Sequence, residues 1–297
     1  MRLWILSHLR DSPGGAFAAA AARRRGHEVE SFCTGDLDLY LDAEAPRLLR
    51  AKGGGELTLP EVAFIRMGGS APEAAYGVPW ALQVAGVPCV NTVATSRTCR
   101  DKARTLTALS LAGVPIPRTV VPGGEARWED FIARVPGPPW IVKPALGTQG
   151  LGVVLVESEE ALEVSLAAYR EAGLRVIVQE MVESSRGRDV RVLVLDGEAR
   201  LAMQRKAAGG DFRSNLHQGG TGEPFELTPE IRRVAEAAAR AVGAQVAGVD
   251  VLFGPEGPLV CEVNGSPGLR GIERATGVEA SALVIEVLER AAARSAG

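Results

Sequence analysis

The sequence predicts a mixed α/β chain in which a parallel, helix-flanked sheet precedes a strand-rich remainder. Three observations carry this expectation. Short apolar runs at 3–6, 29–32 and 62–67 alternate with helical stretches, the pattern of a parallel α/β unit. Asp196-Gly197 separates apolar strands at 190–195 and 199–205, a strong short-range hairpin signal. The segment 247–264 turns back on itself through Gly254-Pro255-Glu256-Gly257-Pro258.

The elements follow in order. Residues 14–25 are alanine-rich and end in three arginines, which suit a helix C-terminus, and Gly26 is the natural stop. Further helices are expected over 72–85, 98–112 (ending at Gly113), 125–134, 159–172, 228–242 and 279–294. Strands are expected at 118–121, 140–145, 153–157 and 175–182, with a glycine-rich loop or hairpin tip at 52–56 and a long polar loop at 209–222. Ser184-Ser185-Arg186-Gly187 reads as a joint. Three parts result: an N-terminal α/β domain over 1–100, a central subdomain over 101–185 and a C-terminal subdomain over 186–297.

Composition narrows the function classes. In 297 residues, 33 basic side chains face 36 acidic ones, a net charge of −3, which lacks the basic excess of a general nucleic-acid binder. The chain is 46% hydrophobic and 23% charged, a globular composition. No apolar run approaches the roughly 18 residues that span a bilayer, and the opening MRLWILSHLR does not read as a secretory signal. None of Cys33, Cys89, Cys99 and Cys261 forms a CxxC pair, so buried thiols in a reducing, cytoplasmic compartment are expected. With only His8, His27 and His217, a histidine-rich zinc site is not expected, whereas a hard-metal site of oxygen ligands stays open.

Four segments carry chemistry. In the 247–264 hairpin, pairing Phe253 with Leu259 sets Asp250 opposite Glu262, with Asn264 on the same face. Two adjacent carboxylates repel unless a cation offsets them, so these three oxygen donors point to Mg²⁺; the bland alternative is a solvated strand edge. Lys143 lies inside an apolar strand before a glycine-rich loop, Gly147 to Gly152. Together they can meet a phosphate, although the loop is neither a Walker A nor a Rossmann fingerprint; the alternative is a hairpin tip with a lysine reaching to water. The strand at 175–182 can offer backbone to an adenine edge, or is a plain core strand. The loop 211–220, with Arg213, Asn215 and His217, reads as a mobile lid or as an ordinary surface loop.

The order of these segments resembles the RimK-type ATP-grasp ligases over essentially the whole chain. The matching strings are Arg100-Asp101-Lys102, Val142-Lys143-Pro144, Gly147-Thr148-Gln149-Gly150-Leu151-Gly152-Val153 and Val178-Gln179-Glu180. They continue with Arg188-Asp189-Val190-Arg191, Gly210-Asp211-Phe212-Arg213-Ser214-Asn215-Leu216-His217, Ala247-Gly248-Val249-Asp250 and Glu262-Val263-Asn264-Gly265-Ser266-Pro267-Gly268. The runs Gly271-Ile272-Glu273 and Thr276-Gly277 also fit. The resemblance implies an ATP-grasp fold behind an N-terminal parallel α/β domain, and ATP-dependent joining of a carboxylate to an amine through an acyl phosphate. In that branch the added group is glutamate and the acceptor a peptide or protein C-terminus.

Carried over by resemblance, Lys102 and Lys143 would hold ATP phosphates, Glu180, Met181 and Val182 the adenine, and Asp189 would contact nucleotide. Arg213, Ser214 and Asn215 would close as a lid; Asp250, Glu262 and Asn264 would bind Mg²⁺, with Mn²⁺ as a substitute, in a two-ion site. Arg205 would stabilise the transferring phosphoryl group. An ideal Asp196-Gly197 turn sets Arg205 on the face opposite Arg191, so a bulge is required to bring them together, and Arg191 is the second candidate. The reading implies a homo-oligomer with no nucleic-acid or membrane partner. Two other readings stay open: a small-molecule or peptide natural-product ligase, and a nucleotide-binding regulator without turnover.

The branch carries arginine where Gln218 and Lys206 stand here. Gln218→Arg is therefore expected to lower the KM for an acidic amino acid and leave that for a neutral one unchanged. Steady-state constants for glutamate and glutamine decide it: an equal effect on both shows that the lid does not read substrate charge.

Overall fold

The computed structural model describes residues 1–295 except 43–46, 51–53, 124–126, 148–149, 210–211 and 213–218. The first part is built as the apolar runs demand. Strands β1 (Arg2–Ser7) and β2 (Glu28–Cys33) flank helix α1 (Pro13–Arg24), which is capped by Ser12 and ends before Gly26 at φ 82°. An antiparallel pair follows, β3 (Leu37–Tyr40) with β4 (Arg47–Arg50), then β5 (Val62–Arg66), α2 (Gly77–Val84) and β6 (Cys89–Val90). β2, β1, β5 and β6 form one parallel sheet in that order.

Helices α3 (Val93–Arg100) and α4 (Lys102–Leu111) lead to β7 (Thr119–Val120), β8 (Trp140–Pro144), β9 (Val154–Val156), α5 (Glu159–Glu171) and β10 (Val176–Glu180). These strands make an antiparallel sheet ordered β7-β10-β8-β9. The last part comprises β11 (Arg188–Leu195), β12 (Glu198–Lys206), β13 (Thr221–Pro224), α6 (Pro229–Ala241), β14 (Val246–Gly254), β15 (Gly257–Asn264), α7 (Leu269–Thr276) and α8 (Ala280–Ser295). Its five strands are antiparallel in the order β13-β12-β11-β14-β15.

Strand alternation gives this third sheet two unlike faces. Val190, Val192, Val194, Ala202, Val249, Val251, Val260 and Val263 point to one core with Ile231, Val234 and Ala238 of α6 and Leu106 and Leu109 of α4. On the other face Leu193, Leu195, Met203 and Val246 join a core with α8 and with Leu3, Ile5 and Phe64 of the first sheet. The remainder of that face carries Asp189, Arg191, Arg205, Asp250, Glu262 and Asn264. Among the described residues no helix is long and apolar enough to cross a membrane.

Several expectations needed correction. The single helix expected over 98–112 is two. Asp101, extended at φ −104° and ψ 108°, ends α3 and accepts from Ala103 and Arg104 N–H as the cap of α4; a short acceptor side chain competes with the helix it interrupts. No α-helix covers the described part of 125–134, which forms 3₁₀ turns at Trp128–Asp130 and Ile132–Arg134. Pro136 biases the residue before it away from helix, and Val135 is extended. The segment expected to be helical over 72–85 opens with a 3₁₀ turn, Glu73–Tyr76, before α2. The β3–β4 pair and α7 were not anticipated. α7 spans only eight residues, too few for a visible 3.6-residue period.

One buried side chain ties the first sheet to the third. Asn91, fully buried after β6, donates through Nδ2 to the carbonyls of Val246 and Gly265, each at 2.7 Å. Its Oδ1 accepts from the N–H groups of Gln245 at 2.8 Å and Val246 at 3.1 Å. Asn91→Ala leaves all four backbone groups without that partner, and is expected to cost about 2–4 kcal/mol. Urea unfolding measures it as a lowered midpoint at unchanged slope.

Candidate functional site

The second and third sheets face one another. Lys143, in the middle of β8 and 7% exposed, donates to Gln179 Oε1 of β10 at 2.8 Å and lies 3.6 Å from Cys261 Sγ of β15. Lys102, at the start of α4, donates to the Gly147 carbonyl at 3.2 Å, while its own N–H donates to Ala145 O at 2.9 Å. The head of α4 is thus docked on the glycine loop. Burial lowers the Lys102 pKa, Glu262 opposes that and Lys143 reinforces it. Two lysines and one carboxylate therefore lie within electrostatic reach of one another where the second and third sheets meet.

Asp250 does pair with Glu262, and Gly248 with Asn264, but by a different route from the one expected. The turn is shorter: Gly254 pairs with Gly257 and Phe253 with Pro258. A bulge between Val251 and Asp250 inserts Cys261 and restores the Asp250–Glu262 pairing. Burial pushes the Asp250 carboxyl up, but Arg191 and Arg205 outweigh it and hold it below the ordinary range.

The β11–β12 hairpin uses the same device. Asp196 at φ 49° and Gly197 at φ 85° make the two-residue turn. A register shift between Leu193 and Val194 then sets Asp189 opposite Arg205 and Arg191 opposite Met203. This is the bulge needed to bring Arg191 and Arg205 to one face. Arg191 grips Asp250 with two bonds of 2.7 Å. Arg205 Nε bonds Asp189 Oδ1 at 2.7 Å, and its Nη2 also lies 2.9 Å from Asp250 Oδ2. Burial works against the Arg205 charge, yet Asp250 and Asp189 raise its pKa overall.

The remaining expected residues fall as follows. Glu180 ends β10, and its carboxylate accepts from Arg118 N–H at 2.7 Å; Met181 N–H donates to Pro139 O at 3.3 Å, and Val182 is buried. Asp189, expected to contact nucleotide, accepts from Arg205. Arg213, Ser214, Asn215 and Gln218 lie outside the described residues. Among the described residues no group of three His, Cys, Asp or Glu could hold a metal; the candidate set contains only two carboxylates, with the Asn264 amide as third donor. Its chemistry suits a hard cation, and the Glu262 side chain has no hydrogen-bond or ion-pair partner among the described residues. Sequence reasoning missed Gln179, which orients Lys143 while donating to Thr119 Oγ1 at 2.7 Å. A Cβ on Gly265 would lie 3.2 Å from Cys99 Cβ and 3.3 Å from Cys99 Sγ.

Two sheets closing on a lysine-lined cleft define an ATP-grasp protein. The RimK-like ATP-grasp domain matches residues 99–288, and the chain belongs to that family of ligases. It is 37% identical over 291 residues to a "probable alpha-L-glutamate ligase" of Vibrio atlanticus, covering 98% of this chain and 96% of the relative. It is 41% identical over 271 residues to one of Thioalkalivibrio sulfidiphilus, covering 91% and 89%. Among solved structures it resembles a RimK domain ATP-grasp protein of Sphaerobacter thermophilus, with TM-score 0.73 and 25% identity over 97% of this chain and 99% of that one. The ATP-grasp ligase PsnB, solved with its minimal precursor, shares the fold at TM-score 0.74 and 22% identity over 97% and 98%.

Replacing Arg205 by Met leaves two buried carboxylates with one guanidinium. The expected cost is about 3–5 kcal/mol. Removing Asp189 as well restores the charge balance, so Arg205→Met/Asp189→Leu is expected to be more stable than Arg205→Met alone. Equal or additive losses in denaturant unfolding refute the coupling.

Proposed function

We propose that this ligase activates a carboxylate as an acyl phosphate at the expense of ATP, and that an amine then displaces phosphate to form a C–N bond with release of ADP. L-Glutamate is the added amino acid and a peptide or protein C-terminus the acceptor. The observation that carries this reading is the convergence of Lys102, Lys143 and Glu262 within electrostatic reach of one another where the two sheets meet. The names of the relatives support the glutamate assignment. Gln218, standing in place of a lid arginine, favours a peptide- or amino-acid-tailoring ligase as the second reading.

Lys102 and Lys143 neutralise phosphate oxygens as point charges. Asp250, Glu262 and Asn264 would hold Mg²⁺, which when bound supplies further charge neutralisation at the phosphates. Arg205 is locked by two carboxylates with a side chain 6% exposed, whereas that of Arg191 is 18% exposed. Arg191 is accordingly the better placed to reach the transferring phosphoryl group, with Arg205 keeping Asp250 oriented. Both residues act as preorganised donors. Asp189 acts through Arg205, and the Glu180–Val182 segment lines the adenine side. Four free cysteines, two of them buried, suit a reducing compartment such as the cytoplasm.

Glu262→Gln preserves volume and removes one carboxylate charge. Turnover is expected to fall by about 100-fold or more with the fold intact. The measurement is ADP release with Mg²⁺-ATP, glutamate and a glutamate-terminated peptide, beside circular dichroism; undiminished turnover at limiting Mg²⁺ rejects the metal assignment.

A further inference from the structure

Arg66 ends β5, an inner strand of the parallel sheet, and is 8% exposed. Ligand sites of parallel α/β sheets lie beyond such carboxyl ends. A buried guanidinium ordinarily has a carboxylate partner, yet Arg66 has none among the described residues. Its Nη1 donates to the Pro267 carbonyl at 3.0 Å, its buried Nε has no acceptor, and the Phe64 ring centroid lies 5.2 Å away. Burial lowers its pKa to about 10, so it remains charged at neutral pH.

The surroundings add positive potential instead of cancelling it. A Cβ on Gly14, in the first turn of α1, would lie 2.6 Å from Arg66 Nη2, so the positive end of that helix closes on the guanidinium. α7 begins two residues after Pro267, and its first turn has no side-chain cap; uncapped N–H groups there favour an anion. The Pro267 contact also borders the strip that carries Arg191. Pro267 Cβ lies 2.9 Å, and Arg191 Nε 3.8 Å, from the point a Cβ on Gly248 would occupy. Arg66 and Arg191 therefore flank the same proline.

We propose that Arg66, with the uncapped first turn of α7, binds a substrate carboxylate other than the one being activated. A molecule anchored there by one end presents its other end toward Arg191. The carboxylate belongs to the incoming amino acid or to the acceptor peptide. The proposal rests on the ligase reading. A purely structural role, a strut from β5 to Pro267, would be felt in stability and not in carboxylate affinity.

The test uses the full chain with saturating Mg²⁺ and a non-hydrolysable ATP analogue. Calorimetric titrations with L-glutamate and with a glutamate-terminated tetrapeptide are each paired with the α-carboxamide analogue. Arg66→Gln is expected to weaken one carboxylate probe about tenfold or more, to leave its amide unaffected, and to keep nucleotide affinity within about twofold; the probe that weakens identifies the source. Gly14→Ala crowds the guanidinium while favouring the helix, and is expected to weaken the same probe without lowering Tm. It decides the matter if Arg66→Gln does not fold. Unchanged affinity for both carboxylates, or equal loss for carboxylate and amide, overturns the Arg66 site while leaving the ligase reading in place. A wild-type protein that binds neither carboxylate and releases no ADP from ATP in their presence overturns both.

Discussion

Two guanidiniums and two carboxylates share one half of a sheet face whose other half is packed against helices. Arg191, Arg205, Asp189 and Asp250 are affordable there because they balance and because each charge has a bonded counterpart. A one-residue slip of β11, β12 or β14 would turn these groups into the valine core on the opposite side. The cluster therefore selects the register of three strands. With it comes the position of Glu262, which is one strand further and has no ion-pair partner of its own among the described residues.

Both hairpins carrying this cluster meet the requirement in the same way. Each combines a tight turn with a bulge, so that the residues near the turn are counted in one register and the polar residues in another. A bulge leaves little local trace in sequence, which is why the Asp250–Glu262 pairing was legible while its route was not. An expected longer turn and an expected regular ladder compensated one another. In the first hairpin the conflict between Arg191 and Arg205 was itself the trace: two residues expected at one site, on opposite faces of an ideal ladder, required an extra residue between them.

Other features were legible to different depths. The apolar runs of β1 and β5 and the end of α1, three arginines ahead of Gly26, declare themselves locally through composition. The break at Asp101 did not, because a helix former follows it and no proline or glycine marks the join. Asn91 is harder still. Its four partners lie about 150 to 175 residues away, and nothing near it in sequence announces them. Arg66 was equally silent, being one basic residue at the end of an apolar run.

Asn91 and the shared core join the first and third sheets into one body, whereas β7, β8, β9 and β10 have most of their core to themselves, with Trp140, Val142, Leu162 and Val178 at its centre. Apart from Ile177 of β10, which is buried in the core of α4, α6 and the third sheet, the connections from this smaller sheet to the rest run through polar groups: Lys143 toward Cys261, Arg175 to Asp101, and Ser184 to the Phe253 carbonyl. Such contacts exchange for water at lower cost than an apolar core. Opening for nucleotide should thus be a rocking of the small sheet on a fixed two-sheet base, and the hydrogen-exchange boundary of the molecule should run along the cleft.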